Sequence, residues 1–228
     1  MKSQMFFRSI VLLVLASLNL AMTFPPTAVP VTGGPLKQSV DTPIPTLDDF
    51  VAIVKNGQPG QVVGVYIAKV LALKVAQQPA NNLAYVNESL GYATQFNLAA
   101  QYGSTGLLAH NYLSGALFSN ASVGQEVDVI YGDGAIRRYT ISIIRRFQAL
   151  SPTSPASNFV DLDKSIDTQI SNAELFQQIY AQGNRVVFQT CINAKGNVSW
   201  GRLFVIATPI AVRQEPAQNF WWFTGWRP

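Results

Sequence analysis

A single cysteine and a single histidine are the side chains of this sequence best suited to chemistry. Cys191 ends an apolar, β-branched run, and Arg202 begins the next such run after a polar loop that contains glycines. Two strand-like runs joined in this way predict an antiparallel hairpin, in which facing residues lie roughly 5 Å apart at Cβ and share a face. Arg202 is therefore predicted to reach the sulfur of Cys191. With the imidazole of His110 they could form a cysteine-based active site, and a buried, inert cysteine is the alternative.

The sequence around this hairpin resembles the signature of the sortases, which are cysteine transpeptidases of bacterial cell surfaces. In that family a Thr-Cys pair ends one strand, and an arginine opens the next strand within a sequence similar to FVATP. Thr190-Cys191 and the run RLFVIATP from Arg202 match this pattern. The family's histidine lies upstream at the end of another strand, and His110 in GLLAHNYLSG fits that position. The resemblance covers Gly60 to Ile210.

The resemblance implies a mechanism for three of these side chains. Cys191 would be the nucleophile, His110 the general acid and base, and Arg202 the group that stabilises the thiolate and the oxyanion. The implied reaction cleaves a C-terminal sorting signal of the Leu-Pro-x-Thr-Gly kind through a thioacyl-enzyme. The acyl group then passes to an amine of a cell-wall precursor or of a pilin.

Substrate contacts and partners are also predicted. Thr190, Trp200 and Asn111 are the candidate substrate-binding residues, and we expect neither a cofactor nor a metal ion. The implied partners are surface proteins or pilins that carry a sorting signal, together with the amine acceptor. Two alternatives remain open. One is another cysteine peptidase that acts on the cell wall, and the other is a secreted, non-catalytic β-barrel module for binding or adhesion.

Composition limits the fold class. A chain of 228 residues with 48% hydrophobic content is long enough for one good core. Its short runs of valine, isoleucine, tyrosine and phenylalanine, with frequent glycine and proline, favour an all-β fold with a few short helices. The resemblance implies a closed, sortase-like barrel of about eight strands. The net charge of +4 is too mild to indicate nucleic acid, and one cysteine cannot form an internal disulfide.

The N-terminal residues predict that the protein is exported. Lys2 and Arg8 precede a short apolar run from Ile10 to Met22, which is the pattern of a secretory signal. We expect an extracytoplasmic protein at the cell surface, anchored in the membrane by its N-terminus or secreted after cleavage. The predicted organisation is a signal peptide or signal anchor (1–23), a proline-rich envelope linker (24–45), the catalytic barrel (46–212) and an aromatic C-terminal tail (213–228).

Hydrophobic patterning places the main elements of the barrel. Thr46 and Ser171 begin two capping boxes and so predict short helices. Asp133-Gly134 predicts a hairpin turn between two strands, and 94–103 is predicted to be irregular or helical. The predicted strands are two within Val62–Val75, bent between Ala68 and Leu71, then Leu83–Val86, Gly106–His110, Val127–Tyr131 and Arg137–Ile144.

Three aspartates follow a long predicted connection from Phe147 to Phe159. Asp161, Asp163 and Asp167 have a spacing that suggests a calcium loop, but the glycine and distal glutamate of an EF-hand are missing. We therefore expect solvated loop carboxylates.

Overall fold

The computed structural model describes residues 43–164 and 168–210. The predicted signal segment (1–23), the aromatic tail (213–228), Asp167 and all but the last three residues of the predicted linker lie outside these residues. The strands are β1 (Val62–Ile67), β2 (Leu71–Gln77), β3 (Tyr92–Phe96), β4 (Thr105–Leu108), β5 (Glu126–Tyr131), β6 (Ile136–Ala149), β7 (Phe159–Asp161), β8 (Thr168–Ile170), β9 (Val186–Ala194) and β10 (Asn197–Pro209). The helices are α1 (Leu47–Val54), α2 (Asn97–Ala100), α3 (Asn172–Ile179) and a 3-10 helix (Ser114–Asn120).

The sheet closes on itself because β6 is long enough to pair with three neighbours. The strand order is β10-β9-β4-β3-β2-β1-β5-β6-β7-β8, and β10 also pairs with β6. Eight strands thus form a closed ring, from which β7 and β8 extend. The pairs β2–β3 and β4–β9 are parallel, and the other pairs are antiparallel. The predicted all-β class with a few short helices and a closed barrel is confirmed.

Alternate strand positions fill the barrel interior with apolar side chains. In β2, for example, Leu71, Leu73 and Val75 are buried while the residues between them are more exposed. This period of two is what a strand with one buried face produces. The interior core therefore follows directly from the sequence pattern.

Two further apolar clusters lie on the outside of the barrel. Helix α1 buries Phe50 and Val54 against Val63 of β1, which is why nearly all of β1 is buried. Helix α3 buries Leu175 and Ile179, one helical turn apart, in the cluster that covers β9 and β10. This outer cover determines which part of the β9–β10 hairpin stays open.

Local signals predicted most elements correctly, with four differences. The polar loop predicted between Cys191 and Arg202 is mostly strand, since β9 runs on to Ala194 and β10 begins at Asn197. The bend between β1 and β2, the β5–β6 hairpin and both capped helices form as predicted, although only α3 has a full capping box. The predicted strand Leu83–Val86 is wrong, since these residues are turn and coil. The predicted irregular segment 94–103 begins with the last residues of β3. Strand β6 runs on to Ala149 and shortens the predicted connection. In the part of the chain described, no helix has the length and apolar character needed to span a bilayer.

Candidate active site

The β9–β10 hairpin places Arg202 directly opposite Cys191. The two strands pair antiparallel, with Arg202 in register with Cys191 and Leu203 in register with Thr190. Facing residues of an antiparallel pair have their side chains on the same face of the sheet. The hairpin packs closely on β6, since a Cβ at Gly201 would lie 2.5 Å from the carbonyl oxygen of Phe147. The residue before Arg202 is therefore limited to glycine by sterics.

The parallel pairing of β4 with β9 brings His110 to about the same level along the strands as Cys191. Leu108 is in register with Gln189, and the amide of Ala109 donates to the carbonyl of Gln189 at 3.2 Å, which continues the pairing beyond the end of β4. His110 and Cys191 are each two residues beyond the paired Leu108 and Gln189 on neighbouring parallel segments, which puts their backbones at about the same level. The cysteine thus lies on the central strand, with the arginine strand on one side and the histidine segment on the other.

Cys191 lies on the outer face of the barrel, just beyond the cover formed by α3. Residues alternate along β9, with Phe188 in the interior core and Val187 in the outer cluster. The hydroxyl of Tyr180, at the end of α3, donates to Oε1 of Gln189 at 2.5 Å. Cys191 is the next residue on this face and is partly exposed. Solvent and a ligand can therefore reach the face at the level of the sulfur.

The guanidinium of Arg202 is held by main-chain carbonyls. Its Nη1 donates to the carbonyls of Ser199 and Gly201 at 2.9 Å each, and Nη2 donates to the carbonyl of Pro152 at 3.4 Å. Within residues 43–164 and 168–210 no carboxylate forms an ion pair with it. Its positive charge is therefore positioned by the main chain of β10 and by the β6–β7 connection, and no acid among the described residues is paired with it.

His110 is half-buried at the edge of a polar depression. Its ring stacks on Tyr112, with 5.0 Å between centroids and 18° between planes. The depression has a volume of about 530 Å³ and is lined by His110 and by residues of the loop 82–89. A second depression of about 480 Å³ lies on the inner face at the barrel mouth, between Ile192 and Leu203. The imidazole therefore borders a polar space, while the other depression lies on the face of the hairpin that does not carry the cysteine.

The three predicted substrate contacts lie in different surroundings. Thr190 is buried, and its hydroxyl donates to the carbonyl of Ala109 at 2.8 Å. Asn111 donates through Nδ2 to the carbonyl of Val198 at 2.8 Å and so joins the histidine segment to the start of β10. Trp200 is partly exposed, and the ammonium of Lys195 lies 5.5 Å from its ring centroid. Asn111 is thus in the turn after the histidine and Trp200 is in the first part of β10, whereas the hydroxyl of Thr190 is engaged inside the protein.

The predicted loop carboxylates pair with arginines of β6. Arg145 donates to Asp161, and Arg146 donates to Asp163 through both its main chain and its side chain. In the described part of the chain, no group of histidine, cysteine, aspartate and glutamate side chains is arranged to hold a metal ion. Asp161 is buried at the end of β7, so the prediction of solvated loop carboxylates is wrong for this residue. The two ion pairs join β6 to β7 and to the residues that follow it.

Sequence reasoning did not identify several residues that shape the site. Tyr112 stacks on His110, the carbonyl of Pro152 holds Arg202, and Gly115 packs against the main chain of His110. Tyr112 and Gly115 both stand within the run GLLAHNYLSG, but the contact of Gly115 with Thr190 is tertiary. No spacing rule could have identified them.

The chain is similar to solved structures of sortases. They include sortase A of Listeria monocytogenes (14% identity, 65% of this chain and 87% of that chain, TM-score 0.40) and sortase C-1 of Actinomyces oris (12%, 75% and 84%, 0.44). A third is a sortase D5 transpeptidase of Clostridium perfringens (17%, 72% and 88%, 0.39). No protein-family model and no curated protein matches the chain. The likeness is one of fold.

Proposed function

We propose that this chain is a sortase-type cysteine transpeptidase. It cleaves a Leu-Pro-x-Thr-Gly-like C-terminal sorting signal and transfers the acyl group, through a thioacyl-enzyme, to an amine of a cell-wall precursor or a pilin. The observation that carries the proposal is the pairing of Cys191 with Arg202 across β9 and β10, on a face left open by α3. The level backbones of His110 and Cys191 add to it.

In this proposal Arg202 has two electrostatic roles. A guanidinium beside a thiol favours the charged thiolate, which is the nucleophilic form of cysteine. The same group can donate hydrogen bonds to an oxyanion on the substrate. A guanidinium has more N–H donors than the three hydrogen bonds to carbonyls use. The remaining donors can therefore serve the sulfur or the oxyanion while the carbonyls hold the group in place.

The first half-reaction forms the thioester. The thiolate of Cys191 attacks the scissile carbonyl carbon, so that a C–S bond forms and the carbonyl oxygen becomes an oxyanion. As the tetrahedral intermediate collapses, the C–N bond breaks and protonated His110 gives its proton to the leaving amine. The product is a thioacyl-enzyme with a neutral imidazole.

The second half-reaction transfers the acyl group. The incoming amine attacks the thioester carbonyl, and neutral His110 accepts its proton. The C–S bond then breaks, a new amide forms, and Cys191 leaves as the thiolate beside the protonated imidazole. We propose Trp200, in the first part of β10, and Asn111, in the turn after the histidine, as contacts for the peptide or the amine.

The proposed partners follow from this chemistry. They are surface proteins or pilins that bear a sorting signal, and an amine acceptor on the outer side of the membrane. The proposal therefore places the protein at the cell surface. The N-terminal segment that would export or anchor it lies outside the described residues.

The decisive experiment measures cleavage and transfer with the full chain. A panel of quenched sorting-signal peptides is incubated with the protein and with hydroxylamine, which traps the thioester as a hydroxamate. We expect Cys191→Ala, His110→Ala and Arg202→Ala each to lower kcat/KM by at least about a thousandfold. When catalytic residues act together, the loss of one removes most of the rate enhancement that the set provides. Cys191→Ala with unchanged turnover would reject the proposal.

A matched control separates the role of Arg202 from the loss of any arginine. Arg146 lies on the adjoining strand in register with Leu203, and its charge is paired with Asp163. Arg146→Ala should keep the wild-type kcat/KM.

Alkylation of Cys191 tests the binding-module alternative, since iodoacetamide should label the folded protein rapidly and Arg202→Ala should slow the labelling. Slow labelling that Arg202→Ala does not change would favour an inert cysteine.

A further inference from the structure

A buried hydrogen bond joins the residue before the cysteine to the residue before the histidine. The hydroxyl of Thr190 donates to the carbonyl oxygen of Ala109 at 2.8 Å, and both residues are buried. Strand β4 has already ended at Leu108, so the regular sheet pairing does not extend to His110. The link between Thr190 and Ala109 is therefore one step from each of the two proposed reacting side chains.

Gly115, near the start of the 3-10 helix, packs against the same junction. A Cβ at this position would lie 2.3 Å from Oγ1 of Thr190, 2.6 Å from the carbonyl oxygen of Ala109 and 2.7 Å from that of His110. These distances are too short for any side chain, so only glycine fits without a shift of main chain. Its amide also donates to the carbonyl of His110 at 3.0 Å.

Two more hydrogen bonds fix the helix start that carries this glycine. The amide of Leu113 donates to the carbonyl of His110 at 3.0 Å. Ser114 is fully buried, and its hydroxyl accepts from the amide of Gly91 at 2.9 Å. The main chain of His110 is thus held by a turn that is itself anchored to the neighbouring loop.

We propose that Thr190 and Gly115 are positioning residues that form a clasp, defined as the contacts among Thr190, Gly115 and the carbonyls of Ala109 and His110. The clasp sets the separation between the His110 imidazole and the Cys191 sulfur. This inference rests on the proposed function for its consequence in catalysis. It also gives Thr190 a role that acts through Ala109 and not through contact with the substrate.

The clasp matters for the rate because proton transfer depends on the distance between the reacting groups. An acid or base acts only within hydrogen-bonding reach of the proton that it transfers. A displacement of about 1 Å can lower the rate on the order of a hundredfold. Since the imidazole and the thiol lie on separate segments, a contact between the two main chains is the shortest way to fix their separation.

The first test separates positioning from substrate contact and from folding. Thr190→Val removes the hydroxyl and keeps the shape, and we expect kcat to fall about 10- to 100-fold with an unchanged KM. Thr190→Ser restores the hydroxyl and should recover most of kcat, and Gly115→Ala should lower kcat similarly. A raised KM with unchanged kcat in Thr190→Val would overturn the inference in favour of substrate contact. A lowered unfolding temperature with unchanged kcat per folded molecule would overturn it in favour of a purely structural role.

Ser104 provides a matched control for a lost buried hydroxyl. Its hydroxyl donates to the carbonyl of Tyr180 at 2.6 Å, immediately before the other end of β4. Ser104→Ala removes the same kind of buried hydrogen bond far from the clasp. It should lower stability and leave kcat unchanged, and a fall in kcat equal to that of Thr190→Val would overturn the inference.

A second measurement needs no substrate, because the chain has one histidine and one cysteine. In tag-free full chain, the imidazole proton resonance of His110 is recorded by NMR before and after methylthiolation of Cys191. We expect a shift in the wild type and a clearly smaller one in Thr190→Val. No shift in the wild type, or equal shifts in both, would overturn the clasp. Failure of every sorting peptide with the NMR result intact would instead count against the proposed function alone.

Discussion

The two halves of the β9–β10 hairpin differ in how many faces they bury. In the base half, which we define as 186–189 with 204–207, the interior core lies on one face and the α3 cluster on the other. In the tip half, defined as 190–194 with 197–203, the α3 cover is absent and Cys191 is partly exposed. The base half therefore carries stability and the tip half carries the candidate chemistry, although both belong to the same two strands.

The largest expected effect contrasts core packing in the base half with chemistry in the tip half. Phe188 is buried in the interior core, where its ring packs edge-on against Phe118 at 5.1 Å between centroids. Phe188→Ala should lower the free energy of unfolding by about 3–5 kcal/mol, because it leaves a cavity. Cys191→Ala should change it by less than about 0.5 kcal/mol while abolishing turnover. Urea unfolding at pH 7 measures both, and similar losses would abolish the distinction between the halves.

The next effect concerns the boundary between the halves. Tyr180 is buried, burial raises the pKa of its phenol, and the phenol therefore stays protonated as a hydrogen-bond donor to Gln189. Tyr180→Phe keeps the ring contacts with Phe204 and Phe96 and removes only this hydrogen bond. The expected loss is about 1 kcal/mol in the free energy of unfolding.

A double-mutant cycle sharpens this prediction. With Gln189→Met as the second change, the double variant should cost less than the sum of the single variants, because neither polar group is then left unpaired. Additive losses would mean that the α3 cover stops before Gln189. The boundary between the two halves would then lie nearer the base.

Elements with local signals could be predicted from the sequence, whereas those that depend on distant partners could not. Strand β3 was missed because it pairs in parallel with β2 and is separated from its antiparallel partner β4 by α2, so that no short hairpin turn marks it. Leu83–Val86 looked like a strand, but Leu83 is exposed and the carbonyls of Leu83 and Tyr85 accept hydrogen bonds from the side chain of Gln78. An apolar run therefore did not ensure pairing.

The same limit applies to the candidate site. The approach of Arg202 to Cys191 was predictable, since one loop joins their strands and sets the register. The level position of His110 depends on the parallel β4–β9 pairing, which no local pattern specifies. The packing of Gly115 against Thr190 depends on three segments at once. What a single hairpin determines was visible in the sequence, and what the closed barrel determines was not.

The smallest expected effect tests the anchor of the α3 cover. The hydroxyl and the amide of Ser171 donate to the carboxylate of Glu174 at 2.7 Å and 3.0 Å, and these hydrogen bonds lower the pKa of Glu174. A lowered folded pKa stabilises the fold above the ordinary value of 4.5, and this contribution is lost as the pH falls through the lowered pKa. Wild type should therefore be slightly more stable than Glu174→Gln at pH 7, and the difference should vanish in acid.

Urea unfolding from pH 7 to pH 3 measures this difference, and the Ser171→Ala background provides the control. There the hydrogen bond from the hydroxyl to the carboxylate is gone and the one from the amide remains, so the pH dependence of the Glu174→Gln effect should be weaker. The turnover of all these variants should equal that of the wild type at pH 7, because the cap supports the cover over the base half. A loss of turnover with intact stability would show that α3 reaches the open face, and the two halves of the hairpin would then not be separate in function.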